Sequence, residues 1–388
     1  MNVACARIGA MCLAAFWLIG LGCASAWAAD AATATIRIES PLAWQVVQRR
    51  TAASGSVVVC GTTTAGQGGN VAVRFLKSAA EVVGWRATPV EADGTFRIAI
   101  DVPAGGWYRC EARATRGTAV LAEAAVEHVG VGEVFVVAGQ SNSANFGEER
   151  LRPATGLVAT LDGAGWRRAD DPQPGAEGGG GSFLPPLGDA LAERFGVPVG
   201  FVACGIGGTS VREWLPAGVA FPSPPTVESR VRQRPAGRWE CDGGAYAMLV
   251  RRMKTAGPEG FRAVLWHQGE SDANQGPTRT LPGDLYREYL ATLIRSTRRD
   301  IERDVPWFVA QASYHVPGDE SSPEIRAAQA AIAADGFALA GPDTDTLTGS
   351  LREAGGKGVH FSGAGLRAHA ALWLEKIAPW LEEQTSRP

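Results

Sequence analysis

Ser141 and three histidines have the side-chain types and positions that suit acyl transfer. Ser141 follows the apolar run 134–138 and a glycine, and His267, His315 and His360 follow or adjoin later apolar runs. A serine hydroxyl is a weak nucleophile at neutral pH and needs a base within hydrogen-bond reach. The sequence therefore predicts Ser141 as the nucleophile and one of these histidines as its base.

His360 is the preferred base. It lies just before the last predicted helix, and its neighbours Gly355, Gly356 and Gly358 give the surrounding loop conformational freedom. We expect His267 to pack or to orient substrate, and the third histidine to line the cleft.

Acyl transfer passes through a tetrahedral intermediate whose oxyanion needs preorganised hydrogen-bond donors. Gly208 offers a backbone N–H group in a turn without a side chain, Gln268 offers a side-chain amide, and Ser141 offers its own N–H group. Each has a simpler explanation, since glycines permit tight turns and a glutamine often satisfies backbone groups. Their joint placement after apolar runs favours an oxyanion site.

The elements that must position these residues alternate between strand and helix from Glu133 onward, in a region predicted as residues 131–388. Such alternation is typical of a doubly wound parallel sheet, which binds ligands at the carboxyl ends of its strands. We therefore expect the polar clusters after the strands to meet at one edge. The predicted strands are 134–139, 198–204, 263–266, 307–311 and 337–340, and the predicted helices are 184–195, 245–255, 285–302, 323–334 and 363–381.

Residues 29–130 contain short, often alternating apolar segments separated by turns that carry glycine, aspartate or proline. This spacing is typical of a small β-sandwich. Nothing in the region resembles a catalytic cluster. We expect it to brace the following region, with sugar binding as the alternative.

Residues 1–28 have the pattern of a secretory signal peptide. Arg7 precedes an apolar run from Ile8 to Leu21, and Ala26 and Ala28 form an A-x-A cleavage pattern. An uncleaved membrane anchor is the alternative, because the run approaches spanning length. We expect an exported protein, periplasmic or secreted, with no membrane segment after cleavage.

Charge and cysteine content give two further expectations. The formal net charge of -3 and the lack of a long basic run argue against a nucleic-acid partner. Cleavage would leave Cys60, Cys110, Cys204 and Cys241, an even number that permits disulfides in an exported protein. The spacing suggests Cys60–Cys110 and Cys204–Cys241 among the three possible pairings, and free buried thiols are the alternative.

Four motifs occur in this order along the chain. They are Gly139-Gln140-Ser141-Asn142, Gly207-Gly208-Thr209-Ser210, Trp266-His267-Gln268-Gly269-Glu270-Ser271 and Val359-His360-Phe361. Together they resemble the sialate O-acetylesterase-like branch of the SGNH hydrolases, whose members deacetylate sialic acids and plant cell-wall glycans. The resemblance covers about residues 130–380.

The resemblance implies a three-layer α/β/α, flavodoxin-like SGNH-hydrolase sandwich that follows a small all-β domain, with no metal or cofactor. Ser141 would be the nucleophile, His360 the base, and Gly208 and Gln268 oxyanion donors. Further substrate contacts are expected from Gln140, Asn142, Thr209, His267 and Tyr314.

The acid that orients the histidine departs from the family pattern. Many SGNH hydrolases place an aspartate three residues before the histidine, but Lys357 occupies that position here. Asp345 and Asp343, at the end of the fifth predicted strand, are the leading candidates, followed by Glu270. A backbone carbonyl is a further alternative.

The sequence thus predicts a carbohydrate O-acetylesterase that acts on an acetylated glycan. A general short-chain esterase or thioesterase on the same fold is one alternative. A non-catalytic glycan-binding protein is another, in which the missing aspartate marks a lost catalytic triad.

Overall fold

The computed structural model describes residues 34–66, 68–257 and 260–386. The predicted signal peptide lies outside these residues. Within them, no helix is long and apolar enough to cross a membrane.

The first part of the described chain forms antiparallel sheets. Strands β1 (Ile36–Ser40), β3 (Ser54–Thr63) and β6 (Thr95–Pro103) make one sheet in the order β1-β3-β6. Strand β4 (Asn70–Lys77) pairs with β5 (Ala80–Pro89) and with β7 (Gly105–Arg116). A core that includes Val57, Phe75 and Phe96 lies among these strands. The sequence did not predict β5, whose residues are mostly exposed or half-buried and so lack a clear apolar pattern.

One long strand, β8 (Ala119–Gly139), belongs to both parts of the fold. Its first part pairs antiparallel with β7 (Gly105–Arg116), and Gly130–Gly132 pair with β2 (Val46–Gln48). From Val129 onward every residue of β8 is buried, and the apolar run 134–138 within this portion was predicted as a strand. The predicted boundary at residue 130 thus falls inside a continuous strand.

A buried carboxylate ties the two parts together where β8 changes partners. Glu133 is fully buried, and its oxygens accept hydrogen bonds from Arg49 Nε at 2.6 Å and Arg262 Nε at 2.8 Å. Gln48 Nε2 donates to the same carboxylate at 2.9 Å. Because an unpaired charge is costly to bury, these contacts stabilise the junction.

The second part contains a mainly parallel sheet in the order β10-β9-β11-β8-β15-β16-β17. The five strands predicted from the sequence stand in the order 2-1-3-4-5, so the expectation of an α/β fold is confirmed. The edge strands β9 and β10 were not predicted. The bounds are β9 Val158–Asp162, β10 Gly165–Arg168, β11 Val199–Ala203, β15 Ala263–His267, β16 Trp307–Gln311 and β17 Leu339–Asp343.

Helices cover both faces of this sheet. Phe135 and Val137 of β8 face the core formed with α1 and α6, whereas Val134 and Val136 face the core formed with α2, α3 and α4. The apolar periodicity predicted α1 and α4 with the observed bounds. The helices are α1 Leu184–Phe195, α2 Gly244–Thr255, α3 Gly283–Asp300, α4 Pro323–Ala334, the single turn α5 Glu353–Gly356, and α6 Gly363–Ser386.

Two features differ from the sequence-based expectations. Three short strands, β12 (Ala220–Phe221), β13 (Val231–Gln233) and β14 (Trp239–Cys241), form a small antiparallel sheet that was not predicted. The four cysteines of the described chain, Cys60, Cys110, Cys204 and Cys241, are all free, so the proposed disulfides are not formed.

Candidate active site

Ser141 lies at the carboxyl end of the central strand β8, where it begins a 3₁₀ turn over Ser141–Ser143. The Gln140 N–H donates to the His267 carbonyl at 3.0 Å, which brings the end of β8 against that of β15. Gly139 is required here, because a Cβ atom would lie 2.0 Å from that carbonyl oxygen. The strand order reverses around β8, so Ser141 occupies the position where α/β sheets bind ligands.

The carboxylate that contacts His360 is that of Glu353, a residue not among those predicted from the sequence. Glu353 Oε1 lies 2.7 Å from His360 Nδ1 and accepts the His360 N–H at 3.1 Å. The Glu353 N–H in turn donates to the His360 carbonyl at 2.9 Å. With Nδ1 bound to the carboxylate, the opposite ring nitrogen is left for a proton-transfer partner.

The loop folds so that Glu353 returns onto His360. Ala354, Gly355 and Gly356 all have positive φ angles, which reverse the chain within one turn. Gly358 leaves room for the glutamate, since a Cβ atom there would lie 2.3 Å from Glu353 Cγ. The glycines that indicated conformational freedom in this loop therefore allow the Glu353 carboxylate to reach the His360 imidazole.

Arg352 holds this histidine loop against the serine loop. Its guanidinium is buried between the rings of Tyr314 and Phe361, with Cζ 3.9 Å and 4.3 Å from the two centroids. Nη1 donates to the Val359 carbonyl at 2.8 Å, and Asn142 Nδ2 donates to the same oxygen at 3.3 Å. The residue before His360 is thereby bonded to the residue after Ser141. Burial lowers the pKa of Arg352, and nearby carboxylates oppose that effect.

The two aspartates favoured from the sequence bind other partners. Arg326 of α4 makes a bidentate ion pair with Asp343, at 2.7 Å and 2.6 Å. Asp345 accepts bonds from Arg326 at 2.9 Å and from the N–H and hydroxyl groups of Ser313 at 2.8 Å and 2.6 Å. Both carboxylates therefore bond to groups that connect β16, β17 and α4. The prediction that one of them contacts the histidine is corrected.

Glu270 also supports the site rather than contacting His360. Its Oε1 accepts from Asn142 Nδ2 at 2.9 Å, and its other oxygen is buried with no hydrogen-bond partner in the described part of the chain. His267 is buried beside it, with Nε2 2.8 Å from Thr344 Oγ1. Burial lowers the pKa of His267, which favours a neutral packing residue.

Two of the three predicted oxyanion donors, Ser141 and Gly208, have backbone N–H groups without a partner in the described part of the chain. Within residues 34–66, 68–257 and 260–386, the N–H groups of Ser141 and Gly208 donate to no acceptor. The Ile206 N–H donates to the Gly139 carbonyl at 2.9 Å, which fixes the Gly208 turn beside the end of β8. Gly208 is partly exposed, so its N–H group lies in a segment that solvent reaches.

Gln268, the third predicted oxyanion donor, is fully buried and already bonded. Its Nε2 donates to Asp272 Oδ2 at 2.8 Å and to the Thr209 carbonyl at 3.1 Å. An amide nitrogen has two hydrogens, so this group has none left for substrate. Gln140 has a similar supporting role, because its Oε1 accepts the Ser271 N–H at 3.0 Å. These contacts join the turns that follow β8, β11 and β15.

The remaining predicted substrate contacts are buried as well. Thr209 is fully buried and accepts the Trp214 indole N–H at 2.9 Å, and Tyr314 is only 1% exposed beneath Arg352. Two residues that were not predicted from the sequence, Phe146 and Val227, lie beside His360 and Gly208. The ring of Phe146 stacks 5.3 Å from that of His360, and Val227, 39% exposed, would touch a Cβ atom at Gly208 at 3.5 Å.

The family model for a carbohydrate esterase, the sialic acid-specific acetylesterase, matches residues 131–365. Because the match covers more than half of the chain, the protein belongs to this family of carbohydrate esterases. The resemblance inferred from the four motifs is thus confirmed. A search of curated proteins gave no match.

Three of the solved structures that match this chain are carbohydrate esterases. A carbohydrate acetylesterase from Xanthomonas citri is 20% identical, with 87% of this chain and 74% of that chain covered and a TM-score of 0.53. A family 2 carbohydrate esterase with a carbohydrate-binding domain, from Corynascus thermopiles (Myceliophthora fergusii), is 11% identical, with 89% and 99% covered and a TM-score of 0.36. A family two carbohydrate esterase from Clostridium thermocellum, in complex with cellohexaose, is 12% identical, with 88% and 94% covered and a TM-score of 0.35.

Proposed function

We propose that this protein is an exported carbohydrate O-acetylesterase that removes acetyl groups from glycans through a serine-bound acetyl intermediate. The observation that carries the proposal is the His360–Glu353 pair, at 2.7 Å, in a loop bonded to the residue after Ser141. A nucleophile, a base and an orienting acid on adjacent loops are what acyl transfer by serine requires.

In the proposed reaction, Ser141 Oγ attacks the acetyl carbonyl carbon while His360 Nε2 takes the hydroxyl proton. The N–H groups of Ser141 and Gly208 stabilise the negative charge that develops on the carbonyl oxygen. Glu353 offsets the charge of the imidazolium that forms. When the intermediate collapses, the bond from the acetyl carbon to the sugar oxygen breaks, and His360 returns the proton to that oxygen.

Water completes the cycle. His360 removes a proton from a water molecule, whose oxygen attacks the acetyl group on Ser141. The ester bond to the serine then breaks, acetate leaves, and the serine recovers its proton. Acetylated sialic acid and acetylated plant polysaccharides such as xylan or xyloglucan are the substrate classes that this proposal covers.

The proposal also includes the type of α/β fold and the cellular location of the protein. Helices on both faces of a sheet ordered 2-1-3-4-5 support the three-layer SGNH-hydrolase sandwich expected from the motifs. The A-x-A pattern that ends at Ala28 supports export and removal of the first 28 residues.

The test is acetate release from a panel of acetylated sialic acids and polysaccharides. We expect Ser141→Ala to lower kcat by at least about a thousandfold, because a nucleophile cannot be replaced by its neighbours. Ser350→Ala, at an exposed serine before the histidine loop, is the matched control and should keep full activity. Undiminished acetate release by Ser141→Ala would overturn the mechanism.

Two other outcomes would replace the proposal. A preference for long-chain over acetyl esters would indicate a general esterase or thioesterase on this fold. Glycan binding without any labelling of Ser141 by a fluorophosphonate would indicate a non-catalytic binding protein.

A further inference from the structure

Two neighbouring cavities lie against strands β4, β5, β7 and β8, in the part of the chain that precedes the esterase site. Their volumes are about 360 Å³ and 380 Å³, and both are lined by Arg109 and Glu111. Trp85 lines the first cavity, and Trp107 and His128 line the second. The cavities therefore adjoin across one shared wall.

The strand pattern places charged side chains on this face. In β7, Arg109 and Glu111 are more exposed than the buried Cys110 and Ala112 that alternate with them. Glu123 of β8 joins the polar set that lines the first cavity. The surface is thus the solvent face of a sheet whose other face packs in the core.

The charges on this face neutralise one another. Arg74 lies 2.8 Å from Glu111, and Arg109 lies 2.7 Å from the other oxygen of the same carboxylate. Arg109 also pairs with Glu127. With donors and acceptors side by side and little net charge, the surface suits hydroxyl groups, each of which both donates and accepts. A polyanion or a polycation would instead need a patch of one sign.

The aromatic rings are held in place before any ligand arrives. The guanidinium carbons of Arg74 and Arg113 lie 4.6 Å and 4.0 Å from the Trp85 ring. Trp107 Nε1 donates to the Gly156 carbonyl at 2.9 Å, and Trp44 stacks on His128 with ring centroids 4.2 Å apart. Preorganised rings lose little conformational entropy on binding. Trp85 supplies the aromatic part of the first lining, and Trp107 and His128 supply that of the second.

We propose that the two cavities form one binding groove for an uncharged oligosaccharide, here named the outer-face groove and defined by Arg74, Trp85, Trp107, Arg109, Glu111 and His128. A chain of sugars lies along it, with one ring against Trp85 and another against Trp107 and His128. Its hydroxyl groups bond to the shared arginine and glutamate wall. This site is additional to the proposed esterase site, and binding there requires no turnover.

The experiment measures binding of neutral xylo-, cello- and xyloglucan oligosaccharides to the full mature chain carrying Ser141→Ala, by calorimetry. Trp85→Ala and, separately, Glu111→Gln should each weaken binding at least about tenfold, a change that calorimetry resolves readily. Arg86→Ala, at an exposed residue next to Trp85 that lines neither cavity, is the control and should bind like the parent. Trp85→Ala in the active protein should leave hydrolysis of p-nitrophenyl acetate unchanged.

Three results would each contradict the proposed outer-face groove. The first is that no neutral oligosaccharide binds, and the second is that only acidic oligosaccharides bind. The third is that Trp85→Ala and Glu111→Gln bind neutral oligosaccharides as tightly as the parent. A failed esterase proposal is distinguishable, because it would appear as absent acetate release while oligosaccharide binding and its loss in Trp85→Ala persisted.

Discussion

Replacement of Glu353 by glutamine tests the assignment of the catalytic acid most directly. The change keeps the size of the side chain and an oxygen that can accept the His360 N–H, which Glu353 Oε1 now accepts at 3.1 Å. It removes only the negative charge that faces His360 Nδ1 at 2.7 Å. The histidine loop should therefore keep its fold while the imidazolium formed during reaction loses its counterion.

The expected decrease in kcat follows from the separation and the solvent exposure of the His360 and Glu353 side chains. Two unit charges about 4 Å apart attract by roughly 4 kcal/mol at an effective dielectric constant of about 20. The His360 and Glu353 side chains are 20% and 27% exposed, so solvent screens part of this attraction. If the substitution removes about 2–3 kcal/mol of transition-state stabilisation, kcat decreases by about 30- to 150-fold.

The assay is steady-state acetate release, with KM and thermal stability measured on the same samples. We expect kcat to fall in Glu353→Gln with KM and Tm almost unchanged, because the lost interaction is made in the transition state. Asp343→Asn, whose carboxylate pairs with Arg326 and not with His360, is the control and should keep kcat within about threefold. Full activity in Glu353→Gln, or the larger loss in Asp343→Asn, would refute the reasoning.

Three further substitutions test the supporting structure. Gly358→Ala should lower kcat about tenfold with little change in Tm, since the new Cβ would lie 2.3 Å from Glu353 Cγ and displace the acid; an unchanged kcat would contradict this. Asp272→Asn should destabilise the fold by about 3–5 kcal/mol in urea unfolding, because it breaks a fully buried ion pair with Arg212. A loss below about 1 kcal/mol would show that the pair is dispensable. Burial raises the pKa of Glu213 from 4.5 to about 8, so the folded protein holds a proton that the unfolded chain releases. Stability should therefore fall as pH rises from 5 to 8, by up to roughly 4 kcal/mol, and Glu213→Gln should lack that slope. Parallel pH profiles of the two proteins would exclude this explanation.

Short-range patterns in the sequence determined most of the second part of the fold. The apolar periodicity of α1 and α4 gave their exact bounds, because each helix buries one stripe against the sheet. The fully buried half of β8 was equally clear, and with it the position of Ser141. The first half of β8 was missed because its residues alternate between exposed and half-buried. This part of β8 forms a strand by pairing with β7, the strand that directly precedes it in the chain.

The polar partners were decided by the tertiary structure. Asp343 and Asp345 lie close to His360 in sequence. Arg326 of helix α4 nevertheless binds both of their carboxylates. Gln268 has the chemistry of an oxyanion donor but is fully buried, and its hydrogens go to acceptors that follow other strands. Such contacts depend on which elements pack side by side, and residue type alone does not specify that.

The contact between Glu353 and His360 depends on both the local sequence and the tertiary structure. Glu353 is the only acidic residue among the ten that precede His360, so the sequence restricts the local choice to it. Whether its carboxylate reaches the imidazole depends on the positive φ angles at Ala354, Gly355 and Gly356, which turn the chain back on itself. The sequence by itself predicted Ser141 as the nucleophile and His360 as the base. Only the folded loop showed that Glu353 contacts His360, because a hydrogen bond of 2.7 Å requires a backbone path that residue spacing does not fix.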